Sequence, residues 1–267
     1  MENTKHYRAH MPPRIKKPSL RGVMAWMVFI GLLGYGLFQT DVTMERLTSG
    51  LVNMVTFITN AFPPNAARLG FMGKSMFETF QMALIGTTLG VTFSLPISIL
   101  ASRNTSPNIG VRSLTRSFVS TVRTIPDLIW ALIFVISVGL GPLAGILTIM
   151  VDTIGFCGRF FSERIEELDK GPMQALESTG ASSLGTLTGS VLPMAFPSFV
   201  GTSLYAVEKA IRSAVILGLV GAGGIGVELS TAMTLRRFDE ALMIIILILV
   251  VVLSTEQVSS QIRKRVI

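Results

Sequence analysis

Six apolar stretches divide this chain, over residues 22–38, 77–100, 118–140, 143–161, 195–220 and 238–258. A helix needs about 20 residues to cross a bilayer core, and most of the six approach that length. Lipid offers backbone N–H and C=O groups no partner, so spanning segments must close their own hydrogen bonds as helices. The spacing therefore predicts an all-α integral membrane protein with six transmembrane helices. Composition agrees: of 267 residues 49% are hydrophobic and 15% charged, with a mean hydropathy of +0.60. That is too apolar for an ordinary soluble domain. No A-x-A-like cleavage site follows Phe38, so the first stretch reads as a span and not as a leader.

Lysine and arginine set the expected orientation. With the N-terminus inside, the inner segments hold Lys5, Arg8, Arg14, Lys16, Lys17 and Arg21, then Arg103, Arg112 and Arg116, then Arg159, Arg164 and Lys170, and finally Arg263, Lys264 and Arg265. The outer segments hold only Arg46, Arg68, Lys74, Arg236 and Arg237. The positive-inside rule then places both termini of a multi-pass membrane protein in the cytoplasm. The net charge of +7 is spread between apolar stretches and forms no single basic stripe, which argues against nucleic acid. Between the first two spans, Leu47, Leu51, Met54, Val55, Ile58 and Phe62 recur every three or four residues before Pro63-Pro64. This period predicts an amphipathic helix on the outer side, lying either on the membrane lipid or against the protein. The chain is thus read as a basic tail (1–21), a first span with an outer amphipathic segment (22–71), a main transmembrane domain (72–259) and a second basic tail (260–267).

Several motifs mislead in this setting. Gly221, Gly223, Gly224 and Gly226 fit G-x-G-x-x-G, but that dinucleotide fingerprint requires a strand before it and a helix after it. Here it separates two apolar stretches, and it is expected to let the fifth span break and turn where protein or a water-filled cavity covers the backbone. Gly73-Lys74-Ser75 has the ending of a P-loop, yet Arg68 stands where the first glycine belongs. Cys157 is the only cysteine, which excludes an internal disulfide and a cysteine-rich metal site. No metal site is suggested by His6 and His10, and no paired acid–base or nucleophilic constellation is present, so no catalytic residue is assigned. Glu78 reads as interfacial.

Charges inside spans carry more information, since each costs at least about 2.5–3.5 kcal/mol to insert. Glu208, Lys209 and Arg212 interrupt the fifth apolar stretch. Glu208 and Arg212 stand four apart, in the favourable order for a helical pair. Either they fasten the span within the bundle, or Arg212, with Lys209, meets an anionic substrate through the arginine fork. Arg123 and Asp127 repeat the spacing in the third stretch. Asp152 lies in the fourth without a local partner, so it pairs across helices or faces the pathway.

The polar segment between the fourth and fifth stretches has a layout of its own. It reads as a short helix, a turn at Gly180, a second short helix, and a proline opening the next apolar run. Ala175, Gly180, Leu192 and Pro193 match the cytoplasmic coupling loop of bacterial ABC-importer permeases, while Gln174, Leu176 and Ser190 depart from it. The run from Tyr205 to Gly226, with 138–142 and 167–172, resembles the phosphonate/phosphite branch of type I importers; methionine-type permeases share its glycine segment. This resemblance implies a type I ABC-importer permease fold with a coupling-helix loop over 163–193. Gln174, Ala175, Glu177, Gly180, Ala181, Leu192 and Pro193 would then contact the ATPase. It implies a second copy of the chain, a cytoplasmic ABC ATPase dimer binding ATP and magnesium, and a periplasmic or lipid-anchored phosphonate-type binding protein. This chain itself then needs no cofactor and is no enzyme. The expected function is passage of a phosphonate, phosphite or related small oxyanion. Alternatives are the same machine for methionine or another polar solute, and an ion-coupled secondary transporter.

Overall fold

A computed structural model describes residues 19–40 and 43–266, and every regular element among them is a helix. The basic tail before Ser19, with its two histidines, lies outside the described residues. Contacts divide the chain into two units, Met1–Thr59 and Asn60–Ile267. The first unit holds α1 (Leu20–Gln39) and most of α2 (Met44–Ala61). Ser19 caps α1, its Oγ accepting from the Gly22 N–H at 3.2 Å. No residue of α1 is buried, and Trp26, Phe29 and Ile30 are exposed. A helix apolar on every side suits lipid contact. α2 forms where the amphipathic period predicts it and ends just before Pro63-Pro64, which cannot continue it.

The second unit is built on α3 (Leu69–Ala101) and α6 (Pro142–Glu167), its most extensive helix pair. Small residues allow the approach. A Cβ on Gly86 would lie 2.8 Å from the Ile149 side chain, and one on Gly90 would strike Thr153. Close packing of this kind takes the place of the hydrophobic drive that lipid does not supply. Against this pair lie α9 (Leu192–Gly218), α4 (Ile109–Thr124) and α5 (Asp127–Val138). α10 (Ile225–Thr234) and α11 (Phe238–Val266) pack against α9 and each other. One apolar cluster gathers Met72, Met76, Ile149, Ile211, Leu217 and Ile225; a second gathers Cys157, Phe161, Ile165, Met173, Val191 and Phe199.

The third apolar stretch, counted as one span, is bent. α4 and α5 meet at 89° across Ile125-Pro126. Pro126 has no N–H to donate, and it forces Ile125 into an extended conformation (φ −81°, ψ 121°) that ends α4. Among the described residues five helices are long and apolar enough to span, and a sixth span is reached when this bent pair is counted as one.

The two ends of the second unit are held by polar contacts. At one end Asn65 Nδ2 donates to Asp239 Oδ2 (2.9 Å), and Arg68 pairs with Glu240 (3.3 Å). At the other, Glu166 Oε1 accepts from the Arg103 N–H (2.6 Å) and from Arg116 Nη2 (2.8 Å), tying the α3–α4 loop and α4 to α6.

Candidate functional site

α9 carries a polar stripe along its length. Ser198, Thr202, Tyr205, Lys209 and Arg212 follow at intervals of four, three, four and three, which keeps them on one face. From Ser198 to Arg212 the helix climbs about 21 Å, at roughly 1.5 Å per residue. The opposite, buried side bears small and apolar residues, among them Ala206, Ala210 and Ala214.

Midway along the stripe, Lys209 Nζ donates to both oxygens of Asp152 on α6, at 2.8 and 2.7 Å. The ammonium also lies 5.5 Å from the centre of the Phe156 ring, and Phe156 stacks on Tyr205 at 5.7 Å. Asp152, without a partner on its own helix, therefore has one across the bundle. Asp127 is drawn to the same place. Its Oδ2 accepts from Ser213 Oγ (3.3 Å), and its charge acts on Asp152. The break at Pro126 is what turns Asp127 inward from the end of α4.

Two local pairs that the four-residue spacing allowed do not form. Glu208 does not bind Arg212; it is 5% exposed and accepts from Arg263 Nη2 of α11 at 2.8 Å. Glu208 faces the α9–α11 seam, whereas Arg212 lies on the exposed side with Tyr205 and Ile216. Among the described residues Arg212 makes no ion pair. Nor do Arg123 and Asp127 share a helical face, because Pro126 separates their helices; Arg123 lies 6.0 Å from the Phe160 ring centre.

Below the Lys209–Asp152 pair, towards the coupling segment, α6, α9 and the end of α11 line an open cavity of about 680 Å³. Its walls include Phe156, Phe160, Arg164, Thr202, Tyr205 and Arg263.

At the other end of α9, Gly221, Gly223, Gly224 and Gly226 join it to α10. The first three hold φ of +90°, +88° and +73°, a region that L side chains rarely enter. Among the described residues no strand precedes these glycines, so the dinucleotide reading fails. Residues of α3 pin the turn: the Gly224 N–H donates to Glu78 Oε1 (3.1 Å), and the Ile225 N–H donates to Thr79 Oγ1 (2.7 Å). A carboxylate at the start of α10 also meets the positive end of its dipole. Sequence reasoning missed Glu78 as a fastening residue, since its partner stands 146 positions away. Gly73, Lys74 and Ser75 lie within α3, so they form no phosphate loop.

The coupling-like segment has the anticipated form. α7 (Gly171–Ser178) ends at Gly180, whose φ is +83°; α8 (Ser183–Thr186) follows, capped by Ser182 Oγ, which accepts from the Gly185 N–H at 3.2 Å. Leu187–Val191 then widens into a π-turn before α9. Pro193 accounts for this: it cannot donate to the carbonyl four residues back and crowds it, and the Leu192 N–H instead reaches Leu187 O. Met173 and Val191 bury themselves in the second apolar cluster. Gln174, Ala175, Glu177 and Gly180 stay exposed, as does Leu184 at 73%. Ala181 and Leu192 are half-buried and Pro193 is exposed.

Residues 94–267 match the family described as binding-protein-dependent transport system inner membrane component. The chain is 32% identical to the putative phosphite transport system permease protein HtxC of Stutzerimonas stutzeri, over 89% of this chain and 84% of that one. It is 38% identical to the phosphate-import permease protein PhnE of Mycolicibacterium smegmatis over 80% of its own length, but it spans only 40% of that relative. Among solved structures, the inward-facing MetNI methionine ABC transporter aligns with a TM-score of 0.68, at 20% identity, over 76% of this chain and 99% of the matched one. That likeness establishes the fold, a type I importer permease.

Proposed function

The chain belongs to the family of binding-protein-dependent transport system inner membrane components, and from that premise we propose that it carries a phosphonate, phosphite or related small oxyanion through the inner membrane. The observation that carries the substrate class is the likeness to a phosphite permease along 84% of that protein. The stripe on α9 supports it, since Lys209 and Arg212 supply cationic donors on the face shared with Tyr205 and Thr202. Arginine offers oxyanions two parallel hydrogen bonds. The methionine reading is the weaker one: methionine permeases match at 20% and 27% identity over 66% and 45% of this chain, and the structure at 20% identity conveys fold alone.

The remaining parts follow from the same reading. A second copy of the chain completes the passage, and a phosphonate-type binding protein delivers the oxyanion from outside. A cytoplasmic ATPase dimer, holding ATP and magnesium, docks on the exposed face of α7 and α8. Both termini lie in the cytoplasm on this reading, which the excess of lysine and arginine on that side supports. The glycine turn, held by Glu78 and Thr79, positions the outer end of α9.

The test is competition for uptake. Cells expressing the full transporter should accumulate labelled phosphite, with phosphonates competing and methionine inert. Competition by methionine but not by phosphonates would contradict the substrate class.

A further inference from the structure

Two arginines and no carboxylate line the cavity between α6, α9 and the end of α11. The carboxylates that balance them stand outside it. Glu208, on the seam behind Arg263, anchors that guanidinium through Nη2 at 2.8 Å. Glu167 meets Arg164 only at 3.6 Å and is 67% exposed. Arg164 Nε is buried and has no hydrogen-bond partner. That N–H is sealed from solvent, so an anion in the cavity meets the exposed part of the Arg164 side chain, 41% accessible, instead. Hydroxyls of Ser198, Thr202 and Tyr205 add donors, and Phe156 and Phe160 give the cavity apolar walls. Its volume of about 680 Å³ exceeds the needs of a phosphite or small phosphonate and its hydration water.

We propose that this cavity is a second oxyanion station, on the coupling-segment side of the Lys209–Asp152 pair, where Arg164 and Arg263 receive the transported anion before release. The assignment rests on the oxyanion reading of the transporter. The two stations differ in chemistry. At the upper one an entering anion competes with Asp152 for Lys209. At the lower one it competes with buried Glu208 for Arg263, but for Arg164 only with the exposed Glu167 at 3.6 Å, so Arg164 is the freer cation. A lipid headgroup phosphate presents the same oxygens, and the choice of lipid separates the two sources.

The experiment uses the permease–ATPase complex in nanodiscs, without the binding protein, and measures equilibrium binding of labelled inorganic phosphite. In neutral phosphatidylcholine we expect saturable binding that Arg164→Gln weakens about tenfold, as loss of a charge-assisted fork does. Thr202→Val, which keeps shape and charge, should weaken it several-fold. Arg159→Gln, outside the cavity, should not change it. Arg263 is avoided because its loss strands the buried Glu208. Absence of wild-type binding, or binding unaltered in both Arg164→Gln and Thr202→Val, overturns the station. Loss of phosphite binding when phosphatidylglycerol replaces the neutral lipid also overturns it, by assigning the cavity to a headgroup. ATP-driven phosphite uptake by the wild type is measured alongside. Normal uptake with unaltered binding in the variants removes the station and leaves the transport reading intact. A wild type without oxyanion uptake removes the transport reading and the station with it.

Discussion

Lys209 is held by both oxygens of Asp152, so neither residue is replaced without consequence for the other. Lys209→Gln leaves Asp152 beside Asp127 with no cation, and oxyanion uptake per assembled complex should fall sharply. The double variant Lys209→Gln with Asp152→Asn should recover folded yield but not uptake. Recovery of both would make the pair purely structural. Glu208 and Arg263 answer differently, because Glu208 is almost fully buried. Removing Arg263 alone should destabilise the protein by about 3 kcal/mol, since a lone charge remains inside, whereas Glu208→Gln with Arg263→Gln should cost less. Thermal unfolding of the purified protein distinguishes these outcomes. A single Arg263→Gln no less stable than the double variant would argue against the pairing. These partners were not legible locally. Glu208 and Arg212 satisfied the four-residue rule, but the true partner stands 55 positions away on α11. Spacing along one helix cannot reveal which face that helix turns to its neighbours.

Gly180 shows what an element-scale reading recovers. Its position between two short helices was evident from the sequence, and its φ of +83° supplies the physical reason for glycine. A Cβ there meets nothing within 4 Å, so a substitution is resisted by backbone strain alone. The left-handed conformation costs L residues about 1–2 kcal/mol, less for asparagine. Gly180→Val should therefore uncouple ATP hydrolysis from uptake or loosen ATPase assembly, and Gly180→Asn should retain most of both. Equal, normal uptake in the two variants would deny the turn a role in coupling. Gly226 differs, because its constraint is packing: a Cβ would strike the Val215 carbonyl oxygen, and the Gly226 backbone itself is close to Gly218. The bend between α4 and α5 was the element that hydropathy misread. A window of apolar residues conveys length and not direction, although Pro126 marked the point where direction changes.

At the scale of the whole molecule, lipid made the architecture legible, because apolar length alone declares a span. The long-range fastenings, Glu78 to Gly224 and Asn65 to Asp239, left no periodic trace. Orientation is tested by cysteine labelling of intact cells, where the native Cys157 is fully buried and gives little background. Ala66→Cys should label and Ser182→Cys should stay protected; the reverse pattern would invert the topology and remove the coupling segment from the ATPase. The central claim is that this chain passes an oxyanion in an ATP-driven importer. Its most direct test is labelled phosphite uptake into proteoliposomes holding the permease and ATPase, with binding protein outside. Accumulation should require ATP hydrolysis on the ATPase side. Accumulation driven by an ion gradient without ATP, or none with ATP and a competent binding protein, would contradict it.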